Sequence, residues 1–363
     1  MPERLWKSRD AGSGDRDGIL ALRRTTFGDV DPMKLRPDVW RWTFVDNPSG
    51  AGYIRLAVHD DQVVGQYAAI PMRFRVAGAH ATERIFAMSC DTMTHPAYQK
   101  QGIFVTLAQE LYAEIASRHG VTTVFGFPND SSRVGFVGKL GWFDVHLFPL
   151  RVKPIQSRRV LQRYVGSRLL SGALGGVADL AYRLVTPRVR EPRRCRIEPL
   201  AGFDERFDAL WERHADLAPV IQVRNRAYLD WRYCGAPVFE YRSFAVHVDG
   251  RLEGYFVVRV LELFDLPFAA LVDLFPCPLV DDEITREVLA AAQLHAAREG
   301  AAFLTALLPP AHAHHLRRFG FLTVPDRLNP RRWHFGARCA PADEPLLRDV
   351  GNWYITYGDA DIV

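Results

Sequence analysis

The stretch His95-Pro96-Ala97-Tyr98-Gln99-Lys100-Gln101-Gly102-Ile103-Phe104 concentrates residue types that can hold an anion. It follows a run with strand character and opens an apolar helical run from about Ile103 to His119, which Gly120 stops. A helix starting there leaves its first backbone N–H groups unpaired and pointing outward, with the positive end of the helix dipole behind them. Gly102 removes the side chain that would hold a diphosphate away from the main chain, and Lys100 adds a cation. The chemistry this spacing suits is capture of a phosphate-bearing ligand by Gln99, Lys100, Gln101, Gly102, Ile103 and Phe104.

Other reactive residue types form no comparable group. The five cysteines (Cys90, Cys195, Cys234, Cys277, Cys339) are odd in number and scattered, with neither CxxC spacing nor a disulfide framework. Cys90 sits in a strand-like run without a patterned histidine partner, which reads as core. His312, His314 and His315 lie on one helix, where only His312 and His315 share a face and no carboxylate repeats nearby. That cluster reads as a solvated helix face, so no metal is expected. Trp40 and Trp42 suit either core packing or the wall of a site.

The elements that must position the loop alternate. A helix is expected from Asp17 to Thr26, and a short one around Trp40 and Trp42 ends at Asn47-Pro48-Ser49-Gly50. Tyr53–His59 and Gln62–Ile70 read as a hairpin across Asp60-Asp61, with further strands at Arg73–Val76 and Ala81–Thr92. Val121–Phe127 is an apolar run suited to a buried strand, and Asn129–Leu140 is a helix ending at Gly141-Trp142. The same order returns more loosely: a hairpin over Arg242–Val248 and Leu252–Leu261, a strand at Ala269–Phe275, a helix at Asp282–Glu299, a strand at Ala302–Leu308, then a helix to Phe319. No residue-level period links the halves. Asn352–Val363 reads as one more strand. Between the halves, Arg151–Arg196 has no strand signal and carries a helical stripe at Leu170, Leu174, Val177, Ala181 and Leu184 behind Arg158, Arg159, Arg163 and Arg168. We take it as a helical connector, and expect domains at 1–150, 151–196 and 197–363.

The resemblance lies in the loop. Gln99, Gly102 and Phe104 match the Q/R-x-x-G-x-G/A pyrophosphate loop of the GNAT superfamily of N-acyltransferases, with Phe104 where a small residue is usual. The preceding His-Pro-x-Tyr, the strand Val121–Phe127 and the Lys139-Leu140-Gly141-Trp142 helix ending strengthen the match over roughly Asp17–Leu150. Phe27-Gly28 with Asn47-Pro48 resembles the enhanced-intracellular-survival branch. The resemblance implies an α/β (α+β) fold, a mixed central sheet flanked by helices, duplicated as two tandem GNAT-like domains. The second would be degenerate, because it lacks the loop between Phe275 and Ile284, where Pro276 and Pro278 remove donors.

It also implies acetyl-CoA or another acyl-CoA as co-substrate, held at Cys90, Asp91, Thr92, Gln99, Lys100, Gln101, Gly102, Ile103, Phe104 and Asn129. Backbone N–H near Cys90–Thr92 would polarise the thioester carbonyl. A tyrosine that many relatives use as general acid falls on Val137, leaving Tyr98 as a substitute or a packing residue. For the base, Asp91, then Glu83, then the terminal carboxylate of Val363 come forward. The acceptor is expected to be an amine of a small molecule, sugar or amino acid. Longer acyl transfer from CoA or an acyl carrier protein, which a basic connector could dock, and a non-catalytic acyl-CoA-binding module remain open.

Bulk properties narrow the class. The 363 residues are 48% apolar and 24% charged with a formal charge of +4, room for two cores but no concentrated basic face for nucleic acid. MPERLWKSRD lacks a signal-peptide core and no run approaches the roughly 18 apolar residues of a membrane helix. A reduced, cytoplasmic protein is the expectation.

Overall fold

The computed structural model describes residues 5–29, 31–78, 81–156, 192–263, 266–329 and 332–361. The connector's arginines and apolar stripe, and Val363, lie outside the described residues. The described chain forms two compact units. One comprises Met1–Leu147, Gly235–Phe239 and Trp333–Asn352; the other comprises Phe148–Cys234, Glu240–Arg332 and Trp353–Val363.

In the first unit, β1 (Lys7–Asp10), α1 (Arg16–Phe27) and α2 (Pro37–Phe44) precede the hairpin of β2 (Tyr53–His59) and β3 (Gln62–Val76). Asp60 and Asp61 both take positive φ, 45° and 62°, the left-handed conformation a tight two-residue turn needs. The two runs read separately at Gln62–Ile70 and Arg73–Val76 are one continuous strand, because the sheet ladder carries through Pro71. Then follow β4 (Thr82–Thr94), α3 (Ile103–His119), β5 (Val124–Gly126), α4 (Asp130–Lys139) and β6 (Phe143–Phe148). The helix α3 has the bounds its apolar run predicts and ends at Gly120 with φ 66°.

The sheet order is β1-β2-β3-β4-β5-β15-β6, where β15 is Trp333–Arg338 from near the far end of the chain. It pairs antiparallel with β5 through Gly336↔Gly126, Ala337↔Phe125 and Arg338↔Val124. The core between this sheet and α3–α4 holds Tyr67, Leu107, Leu111, Ile115, Phe136 and Trp142.

The second unit repeats the scheme. Its 7-stranded sheet runs β14 (Leu322–Thr323), β7 (Arg151–Pro154), β13 (Phe303–Ala306), β12 (Leu266–Phe275), β11 (Arg251–Leu263), β10 (Tyr241–Val248) and β8 (Arg196–Leu200). Here β12 and β13 run parallel, as β4 and β5 do. Helices Asp282–Arg298 and Ala313–Arg318 occupy the chain positions of α3 and α4.

Two expectations need correcting. Arg151–Pro154 is a strand rather than the start of a helical connector, since its backbone pairs with Phe303–Thr305 and Leu322–Thr323. The tail forms only a two-residue strand β16 (Trp353–Tyr354), parallel to β9 (Val220–Gln222), and then turns. The turn is capped where Asp359 accepts the Thr356 amide at 2.7 Å and Thr356 Oγ1 accepts the Gly358 amide at 3.2 Å. No helix among the described residues is long and apolar enough to cross a membrane.

Candidate functional site

The register between β3 and β4 breaks near the end of β4. Cys90 pairs with Ala68 and Met93 with Gln66, so Asp91 and Thr92 together stand opposite Tyr67. Two residues against one is a β-bulge, and Asp91 takes φ 45° to make it. Gln66 Nε2 donates to the Asp91 carbonyl at 2.8 Å. The carboxylate accepts from Arg23 Nη1 at 2.8 Å and Lys34 Nζ at 3.5 Å. Arg23 reaches it from the buried face of α1, beside Ile19 and Leu22. Burial pushes the Asp91 carboxyl upward, but Lys34 and Arg23 outweigh it and hold the group below the usual carboxylate range. A carboxylate so stabilised is a poor proton acceptor and a good anchor.

The neighbouring strand leaves β4 just before this bulge. The parallel ladder joins Ala87 to Val124 and Met88 to Phe125. Gly126 still lies against β4, since a Cβ there would stand 3.1 Å from the Ser89 carbonyl. Past Ser89, the β5-facing edge of Cys90–Thr92 is outside the ladder.

Beyond β4 the chain makes the expected strand-to-helix turn. Gln99, Lys100, Gln101 and Gly102 are exposed, Lys100 and Gly102 take φ 63° and 78°, and Ile103 begins α3. That helix has no side-chain N-cap and no acidic residue in its first turn. Its opening amides thus keep their capacity for an external anion. Phe104, the departure from the loop pattern, turns toward α4. Its ring lies 5.1 Å from that of Phe136, and a Cβ on Gly135 would come within 2.7 Å of it. The bare backbone of Gly135 accommodates that ring.

The remaining sequence candidates distribute as follows. Cys90 is buried on β4. Tyr98 places its hydroxyl 2.6 Å from His59 Nδ1 at the end of β2. Asn129 caps α4, its Oδ1 accepting the Ser132 amide at 2.9 Å. The next residue, Asp130, accepts from His334 Nε2 at 2.6 Å, tying α4 to β15. Glu83 lies toward the start of β4, paired with Arg73. Sequence reasoning missed Arg23, Lys34 and Gln66. A charged residue on the buried face of α1 was the available signal for Arg23; Lys34 and Gln66 become partners only through the fold. A separate cleft of about 490 Å³, lined by Tyr112, Lys139, Arg338 and Cys339 among others, lies toward the opposite ends of α3 and α4 and is not part of this site.

The second unit carries a similar bulge where its parallel ladder stops. Val258 pairs with Leu271 and Val257 with Asp273, while β12–β13 pairing ends at Leu271↔Ala306. There the position is filled from within. Asp273 accepts from Arg224 at 3.3 Å, Tyr255 at 2.7 Å, Tyr233 at 3.0 Å and Thr356 at 3.0 Å. Arg224 also binds Asp359 at 2.8 Å, and Gly358 packs against Asp273.

A bulged strand, a diverging parallel neighbour and an uncapped glycine-led helix come together in the first unit. Residues 7–143 match the family model of the acetyltransferase (GNAT) domain. No curated protein matches the chain by sequence. Among solved structures, a GCN5-related N-acetyltransferase from Anabaena variabilis is similar at 14% identity and TM-score 0.62, over 94% of this chain and 74% of that one. Eis1 from Mycobacterium abscessus is similar at 13% identity and TM-score 0.56, over 95% and 76%. Saccharomyces cerevisiae N-myristoyltransferase with bound myristoyl-CoA is similar at 13% identity and TM-score 0.58, over 93% and 84%. At these identities the likeness is one of fold.

Proposed function

We propose that the first unit transfers an acyl group, acetyl in the first instance, from coenzyme A to the amine of a small molecule, sugar or amino acid. The observation that carries this reading is the anchored bulge at Asp91, set between the end of the β4–β5 ladder and the turn at Gly102. The diphosphate would rest on Gln99–Phe104, and the thioester would lie beside Cys90–Thr92. Main-chain N–H groups of the bulge would stabilise the oxyanion as the amine nitrogen attacks the carbonyl carbon. Collapse of that intermediate breaks the C–S bond and expels the CoA thiolate, while the amine proton passes to water or a base. Asp91, held ionised by two cations, serves this reading better as the anchor of the bulge than as that base.

A second reading, transfer of a longer acyl chain, is favoured by the fold likeness to a myristoyltransferase. Calorimetric titration of acetyl-CoA and myristoyl-CoA into wild type and Gly102→Pro tests both. Proline cannot adopt the positive φ of Gly102, so binding by wild type and its loss in the variant is the expected result. Binding of myristoyl-CoA alone would select the second reading, and binding of neither would sink both.

A further inference from the structure

The histidine cluster reads differently once the fold supplies its neighbours. Asp282, the first residue of the helix Asp282–Arg298, lies beside His314 and His315 of the helix Ala313–Arg318, all in the second unit. Asp282 Oδ1 is 4.0 Å from His314 Nε2 and 3.7 Å from His315 Nδ1, and the three atoms lie within 4.8 Å of one another.

The other ring nitrogens determine the tautomers. His314 Nδ1 is 3.0 Å from the Ala311 carbonyl, and His315 Nε2 is 3.1 Å from the Pro278 carbonyl. A carbonyl oxygen can only accept, so those nitrogens carry the protons. His314 Nε2 and His315 Nδ1 therefore present lone pairs toward one carboxylate oxygen. Two acceptor nitrogens beside an anionic oxygen gain nothing from one another, whereas a cation among them satisfies all three. Orientation of a ligating imidazole by a backbone carbonyl on its far nitrogen is the usual second shell of a metal site.

We propose that Asp282, His314 and His315 bind a divalent transition-metal ion of the zinc class, clipping these two helices together. Two imidazoles and one carboxylate leave a fourth position for water. Ligand atoms in a tetrahedral zinc site stand about 3.3 Å apart, given bonds of roughly 2.0–2.1 Å. The modest closure required falls to Asp282 and His314, whose side chains are 62% and 37% exposed, while His315 stays buried. Arg318 Nη1 holds the other carboxylate oxygen at 3.0 Å, orienting Asp282 while opposing a cation by its charge. Arg194 takes the adjacent Asp281 and Glu283, leaving Asp282 to the histidines. The corresponding helix start, uncapped and without acidic residues in the first unit, is capped here by Asp281 and carries Asp282 and Glu283 in its first turn.

The test uses the full chain after dialysis against a chelator. Zn2+ is titrated in competition with a chromophoric chelator, and Co2+ is added separately to read its visible d–d bands. One equivalent should bind, at least about tenfold more weakly in Asp282→Asn and His314→Ala, which alter exposed side chains. Arg318→Gln should bind more tightly than wild type. Absence of stoichiometric binding, or variants Asp282→Asn and His314→Ala that bind like wild type while retaining wild-type circular dichroism, would overturn the proposal.

Discussion

At the scale of single residues, Asp91 is where local strain and charge meet. Its left-handed backbone conformation costs free energy that a strand residue ordinarily avoids. The contacts from Arg23, Lys34 and Gln66 offset that cost and hold the bulge in one conformation. Asp91→Asn removes the charge but keeps the shape, leaving two cations without their counter-ion. We expect a loss of about 2 kcal/mol in urea unfolding. We also expect kcat to fall about 10- to 100-fold, as the bulge amides lose alignment, with a smaller change in KM for the acyl-CoA. An unchanged kcat would show that the clamp serves stability alone. Because the folded-state pKa of Asp91 is depressed, its contribution is present above the ordinary carboxylate range and is lost as pH falls through it.

At the scale of elements, the first turn of α3 packs on α4 through Phe104. Gly135 makes room for Phe104, and the Cβ of Gly135→Ala would meet that ring at 2.7 Å. Overpacking there should cost about 1–3 kcal/mol and weaken acyl-CoA binding by displacing the first turn of α3. Thermal melts and calorimetry check both; a variant with wild-type Tm and affinity would show that the ring moves aside. In the second unit, Lys153 on β7 is almost wholly buried, donates to the Phe319 carbonyl and lies 4.3 Å from the Phe319 ring. Burial lowers its pKa from 10.5 to about 8. The folded chain thus releases this proton near pH 8 while the unfolded chain keeps it, and the group's contribution to stability rises with pH above 8. Urea midpoints of wild type and Lys153→Met should draw together, in wild type's favour, between pH 7 and pH 9.5. A constant offset would mean that the lysine stays charged.

At the scale of the whole molecule, the two sheets exchange strands along the sequence. The first takes β15 from residues 333–338, and the second takes β7 from residues 151–154. A fragment of residues 1–150 should consequently fail to fold cooperatively. It would leave the ladder edge of β5 open and remove the strand between β5 and β6. Circular dichroism and proton NMR of that fragment check this, and a native-like dispersed spectrum would show that β15 is dispensable. Backbone pairing, which composition does not report, places β6 and β7, on either side of residue 150, in different sheets.

Local signals were enough to read the hairpin at Asp60-Asp61, the bounds of α3 and the turn at Gly102 that opens it. Each depends on residues close in sequence: turn residues with positive φ, an apolar helical period, and a glycine at a helix start. The same locality explains the failures. Lys34 and Gln66 reach Asp91 across 57 and 25 residues, and Asp282 reaches His315 across 33, so no spacing rule could group them. The sequence by itself determined much of the order of helices and strands and the glycine-led start of α3, because these follow from backbone propensity over a few residues. Only the tertiary structure decided which strands share a sheet, which cations anchor the bulge and which side chains face one another. Those outcomes rest on long-range pairing and burial, where contacts become favourable only after distant segments have met.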